Sequence, residues 1–135
     1  DWYIGNDSTL WNMGTEEKPI KTKYDPCPEG WRVPTFAELT ALGANRDSGQ
    51  STHNGQKGYW FNNPEKNSGT NGVFLPSAGY IFYDAGSYEY GEEGCYWSST
   101  PYQNYYSLRY SFTRTSTLDY CRGNGFSVRC VKDEE

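Results

Sequence analysis

One stretch of this chain, VPTFAELTALGAN at residues 33–45, reads as a helix; turn residues cut the rest into runs too short for another. Thr35 is placed to cap the helix, and Glu38 three residues later completes a capping box. Phe36, Leu39 and Leu42 give it an apolar face, and Gly43 is the expected stop. Fifteen Gly and seven Pro punctuate the chain, so a loop-rich, strand-dominated fold with one early helix is expected, in class α+β.

The strands are expected after residue 72. GVFLPSAGYIFY contains two apolar runs, GCYWSST a third, YYSLRYSFT a fourth and GFSVRCV a fifth. In the fourth, Tyr106, Leu108, Tyr110 and Phe112 alternate with Ser107, Arg109, Ser111 and Thr113, the period of a half-buried strand. In the fifth, Phe126, Val128 and Cys130 are expected to face one way, and Ser127 and Arg129 the other. An antiparallel meander is the expected arrangement. Before it, residues 45–72 are dominated by Asn, Gly, Ser, Lys and Gln; these are expected to form long surface loops around a buried Tyr59-Trp60-Phe61. The opening segment reads as short strands and turns around Trp2, Trp11 and Trp31.

At 135 residues the chain has the length of one domain with a single core, read as spanning residues 1–135. Only 35% of it is hydrophobic but 18% is aromatic. Much of the buried area therefore has to come from Tyr, Trp and Phe, whose polar tips need partners. A net charge of −5 argues against nucleic-acid binding, which needs clustered Lys and Arg. No run reaches the roughly 18 apolar residues of a membrane span, so direct membrane insertion is not expected. No signal peptide reads from these residues, and the abrupt start at Asp1-Trp2-Tyr3 suggests a domain, the C-terminal one, of a longer surface or virion protein, which leaves a leader or anchor outside them open.

Cysteines stand at 27, 95, 121 and 130, with no CxxC pair and a single His53, so no zinc site is expected. No metal-ligand residues and no cofactor are assigned, and a structural calcium or sodium ion in the Asn- and Asp-rich loops stays open. Three pairings are open in an oxidising compartment. Cys27 with Cys130 is favoured, because it ties the start of the core to the last strand; closing a loop of that size is worth roughly 4–5 kcal/mol. Cys95 and Cys121 either form a second bridge or leave Cys121 as an accidental thiol. Extracellular exposure is the expectation from this usage. His53, Asp84 and the Glu92-Glu93 pair form no acid/base or nucleophile constellation, and no enzyme activity is expected.

Four motifs occur in order: DPCPEGWRVPTFAEL at 25–39, FLPSAGY at 74–80, YWSST at 96–100 and GFSVRCVKD at 125–133. With them the chain resembles the Fibrobacter succinogenes major paralogous domain, a family of surface proteins of Bacteroidetes and their phages. That family resembles the C-type lectin-like fold, shared by formylglycine-generating enzymes. The resemblance implies a compact mixed fold whose two ends meet, in agreement with Cys27–Cys130. Within the motifs, Trp31 and Val33 are expected to enter the core and Trp97 to anchor it. The reactive cysteine pair of formylglycine-generating enzymes has no match here, since Cys121 and Cys130 have the wrong spacing. The sugar-binding motifs of calcium-type lectins are absent as well, and NPEK at 63–66 is no substitute.

Between YWSST and GFSVRC the composition changes. Residues 102–124 hold no Lys, Glu, Trp or Met, although Lys and Glu are common elsewhere in the chain. The resemblance implies that this part of the fold forms the ligand-binding face. Its candidate contacts are Tyr102, Asn104, Tyr105, Ser107, Arg109, Ser111, Arg114, Asp119, Tyr120, Arg122 and Asn124. Tyr offers rigid contact area, Arg charge and stacking, and Ser and Asn adaptable hydrogen bonds, as in an antibody paratope. The simpler reading is that loops of a Tyr-rich protein contain more Tyr.

A sharper reading follows from the missing residue types. Some members of this fold family are variable proteins of diversity-generating retroelements, in which adenines of AAY codons are randomised. Such codons encode fifteen amino acids and never Lys, Glu, Gln, Trp or Met. Only Gln103 in the stretch lies outside that set. The expected function is thus a diversified receptor domain on a cell surface or phage virion, binding a protein or glycan ligand. The alternatives are a fixed lipoprotein or pilus-tip adhesin, a structural role in which the Tyr-rich face docks on a neighbouring subunit and, remotely, an enzyme.

Overall fold

The computed structural model describes residues 11–62, 72–81, 87–88, 93–102, 106–111, 119–121 and 125–134. For residues 81, 87–88, 102, 106–111 and 119–121 it is the backbone that is described. Trp2, the NPEK at 63–66, Asp84, Glu92, Phe112 and Thr113 lie outside the described residues.

The helix α1 spans Phe36–Gly43. Its capping box is complete: Thr35 Oγ1 accepts from Glu38 N at 3.2 Å, and Thr35 N donates to Glu38 Oε1 at 2.9 Å. Leu39 is buried, while Phe36 and Leu42 are half-buried. The helix stops after Gly43 without a left-handed cap, because Ala44 holds the C-cap in right-handed conformation (φ −62°) and donates back to Thr40 O.

Residues 45–72, expected to be loops, carry a hairpin instead. Strands β2 (Ser51–His53) and β3 (Gln56–Phe61) pair antiparallel, with His53 opposite Gln56. Between them Asn54 and Gly55 both take positive φ, 51° and 78°, the conformation that lets a two-residue turn match the strand twist. Strand β4 (Val73–Pro76) pairs on the other side of β3, placing Tyr59 opposite Leu75 and Trp60 opposite Phe74. The two faces of this sheet then diverge. One supplies Phe61 and Leu75 to a core shared with Leu39 and Tyr96, with Leu42, Tyr59 and Val73 packed against it. Burying such side chains contributes roughly 1.5–3 kcal/mol each. The other face carries a ring cluster: His53 lies 4.9 Å from Trp60 and 5.2 Å from Phe74.

Two short strands, β5 (Tyr80–Ile81) and β6 (Ser87–Tyr88), pair with each other. Strands β7 (Cys95–Tyr102), β8 (Tyr106–Ser111) and β9 (Asp119–Cys121) form an antiparallel three-stranded sheet in chain order. The last strand returns to the early part of the chain, where β1 (Trp31–Arg32) pairs with β10 (Val131–Lys132). With one helix and small antiparallel sheets among the described residues, the protein is α+β.

Covalent and ionic contacts fasten that meeting. Cys27 and Cys130 form a disulfide, Cα–Cα 5.9 Å. Arg32 grips Glu38 through two hydrogen bonds of 2.7 and 2.8 Å, and its Nε lies 3.3 Å from Asp133 Oδ1. Asp25, with its side chain buried, accepts from Cys27 N at 2.8 Å and Val33 N at 2.9 Å and is paired with Lys21 at 3.1 Å. This one carboxylate shapes the approach to β1.

Two expectations fail here, and one open alternative is closed, for identifiable reasons. Val33 is in the core at 1% exposure, but Trp31 is 45% exposed: it lies in the two-stranded β1–β10 sheet, outside the core. Residues 126–130 do not alternate as a strand, and Val128 is 37% exposed. Here the chain makes a single parallel bridge, Ser127 to Tyr96, before entering β10. A Cys95–Cys121 bridge is absent, because Cys95 lies opposite Ser111 and Cys121 opposite Tyr106. Five residues of β8 separate those rungs, about 16 Å at strand rise, beyond the roughly 7 Å that a disulfide spans.

Candidate ligand-binding face

The candidate face is built on the β7–β8–β9 sheet. Strand β7 is its foundation: every residue from Cys95 to Ser99 is buried. Tyr96 belongs to the core, and its hydroxyl donates to Pro76 O at 2.9 Å. Burial raises the pKa of that hydroxyl well above the ordinary tyrosine value, so it stays a neutral donor. Trp97 is 6% exposed and packs against Phe126 with ring centroids 4.5 Å apart, the anchoring role expected of it. Phe126 in turn meets Tyr80 edge-on at 5.9 Å.

Between Trp97 and Pro101 the ladder shifts. Trp97 lies opposite Arg109 and Pro101 opposite Ser107, so Ser98, Ser99 and Thr100 stand against the single Leu108. This bulge is where α1 docks. Ser99 N donates to Pro34 O at 2.8 Å, and Phe36 N donates to Thr100 Oγ1 at 3.0 Å. The Thr100 hydroxyl in turn donates a hydrogen bond to Glu16 Oε1 at 2.7 Å. A turn organised by Asn12, whose Oδ1 accepts from Gly14 N and Ile20 N, precedes and follows Glu16 in the chain. Two family-like motifs, VPTF and YWSST, thus meet through two hydrogen bonds. A bulge re-aims the strand that carries it, and the residues it delivers next are Pro101 and Tyr102.

Of the eleven residues expected to contact ligand, six lie on this sheet. Tyr102 ends β7; Ser107, Arg109 and Ser111 are in β8; Asp119 and Tyr120 are in β9. Asn104, Tyr105, Arg114, Arg122 and Asn124 lie outside the described residues. Residues facing each other across antiparallel rungs share a side of the sheet. Positions 107, 109 and 111 therefore fall in the rows of Pro101, Trp97 and Cys95, and Tyr120 joins them opposite Ser107. Positions 102 and 119 fall in the rows of Tyr106 and Leu108, with Tyr110 opposite the core residue Tyr96. The sheet therefore gathers positions 107, 109, 111 and 120 on one face and sets 102 and 119 on the other. The gathered face runs from a covered end at Trp97 to an open end at Pro101, which is exposed.

Sequence reasoning missed the bulge residues and Glu16. Pro101 inside a strand-like run was the available signal, because proline in a sheet marks an edge or a bulge. Glu16 had none, since it meets Thr100 across 84 residues of chain. Among the described residues no group of His, Cys, Asp or Glu could hold a metal ion, and no helix is long and apolar enough to cross a membrane.

No curated protein and no solved structure matches the chain. The family model of the Fibrobacter succinogenes major domain matches residues 10–132. With the match running from before the turn at Asn12 to the last strand, the chain belongs to the Fibrobacter succinogenes major domain family.

Proposed function

We propose that this protein is an extracellular ligand-binding receptor domain of C-type lectin-like fold, displayed on a cell surface or phage virion. Residues 102–124 form its contact face and are diversified by a retroelement. The observation that carries the reading is the restricted residue repertoire of that stretch, which returns to ordinary usage in the motif at 125–133. The described part of the stretch builds on β7, whose Ser99 and Thr100 are fastened to the helix, so the supporting strand is held independently of what 102–124 contain. A cross-linked scaffold with a Tyr, Ser, Asn and Arg face suits a protein or glycan ligand held by stacking and hydrogen bonds. The disulfide fits an oxidising location. The reading assigns no catalysis, no cofactor and no nucleic-acid partner.

A display library tests it. Ser107, Arg109, Ser111 and Tyr120 are randomised with the AAY-derived repertoire, and the pool is selected against immobilised proteins and glycans. A receptor face yields folded binders that differ in sequence and target. If nearly every change at these four positions unfolds the domain, the stretch is framework and the reading fails.

A further inference from the structure

Asn-Gly is a dipeptide in which the following backbone nitrogen readily reaches the side-chain carbonyl, because glycine has no Cβ to obstruct the approach. The sequence holds three of them, Asn54-Gly55, Asn71-Gly72 and Asn124-Gly125. The first alone follows a histidine. There the structure places Asn54 Nδ2 3.4 Å from His53 Nε2. Asn54 and Gly55 are the exposed tip of the β2–β3 hairpin. Strand β2 is three residues long and forms the edge of its sheet, so this tip opens at small cost compared with the core. The imidazole is also held in place, with its ring against Trp60 and Phe74.

We infer that Asn54 is a site of spontaneous covalent modification, with His53 as the proton donor to its leaving group. As the tip opens, Gly55 N attacks Asn54 Cγ and forms the C–N bond of a five-membered imide. The Gly55 N–H proton passes to solvent water. The Cγ–Nδ2 bond breaks: the ring, whose Nε2 accepts from Nδ2 in the closed hairpin, takes a proton from solvent as the tip opens and gives it to the departing nitrogen, which leaves as ammonia. The ring is then neutral again. Water opens the imide on either side, giving aspartate or isoaspartate at position 54, with no oxidant or reductant involved. Either product changes the hairpin. Aspartate sets a carboxylate beside the imidazole. Isoaspartate adds a backbone methylene to a two-residue turn, and the rung between His53 and Gln56 no longer closes in register.

The test is to incubate the whole protein at neutral pH and follow loss of ammonia and gain of water in the three Asn-Gly peptides by mass spectrometry. H53F keeps an aromatic ring against Trp60 and Phe74 but has no nitrogen; H53Q keeps a polar side chain that is no proton-donating acid. Both variants are expected to slow conversion at Asn54 by roughly a hundredfold, the low side of general-acid contributions. Conversion at Asn71 and Asn124 should be unchanged, and an unchanged urea midpoint reports that the fold is intact. Undiminished or faster conversion at Asn54 in either variant overturns the inference.

Discussion

Single polar side chains set the course of this chain. Asp25 holds two backbone N–H groups that would otherwise be buried without acceptors. D25A is expected to cost about 2–4 kcal/mol, since an orphaned buried donor carries a penalty of about 1–3 kcal/mol and two are exposed at once; the midpoint of urea unfolding measures it. Glu38 gives a pH prediction. Its hydrogen bonds to Arg32 lower its pKa, with Thr35 N–H adding to the effect. A carboxylate with a depressed folded pKa stabilises above its unfolded pKa and loses that contribution as pH falls through the folded one. Stability should therefore decline below about pH 4.5, and E38Q should flatten that part of the pH–stability curve. An unchanged slope in E38Q would remove Glu38 from the explanation. At this scale, legibility in the sequence followed chain distance. Thr35 and Glu38 were readable because a capping box lies within four residues. Asp25 was not, because its partner Val33 lies eight residues away and no local pattern marks it. Trp31 misled because its exposure depends on what lies over the β1–β10 pair, which its own neighbours in sequence do not encode.

Among the elements, the bulged strand β7 and the β2–β3–β4 sheet behave differently from ordinary strands. Adjacent residues of the bulge make opposite predictions. Thr100 accepts from Phe36 N and donates to Glu16, so T100V should cost about 1–2 kcal/mol, while T100S should restore most of it. Ser99 Oγ is buried with no hydrogen-bond partner among the described residues. S99A should then be neutral or stabilising, because it removes an unsatisfied polar atom. Thermal unfolding of the three variants separates these outcomes; a loss in S99A equal to that in T100V would contradict the assigned contacts. In the other sheet, a Cβ on Gly58 would run into the Leu75 carbonyl and the Phe74 ring. G58A is expected to destabilise by about 1–3 kcal/mol. The hairpin was legible in principle, since Asn-Gly between strand residues is the strongest short-range hairpin signal. It was hidden by the polar composition of 45–57, where β2 is almost wholly exposed and shows no apolar alternation. The bulge was hidden because its cause, the docking of α1 on Ser99 and Thr100, is tertiary.

For the whole molecule, the motifs that mark the family are those that cross-link it. The first and last are joined by a disulfide, a strand pair and the Arg32–Asp133 contact; the first and third meet at the bulge. Breaking the covalent link with C27S/C130S should lower stability by about 2–5 kcal/mol, read from urea midpoints under oxidising conditions, and adding reductant should then shift the wild type but not the variant. The order of these motifs made the family legible from sequence alone. The candidate face was legible in composition but not in geometry. Six of its residues proved to lie on one sheet, and only the strand register divides them, grouping Ser107, Arg109, Ser111 and Tyr120 apart from Tyr102 and Asp119. The most direct measurement is deep sequencing of this gene and its flanking DNA across the population that carries it. A diversified receptor predicts codon differences concentrated at Ser107, Arg109 and Tyr120, opposite adenines in a nearby imperfect repeat, with Ser99, Thr100 and Cys130 constant. Invariant codons throughout 102–124, with no repeat nearby, would contradict diversification and leave a fixed adhesin.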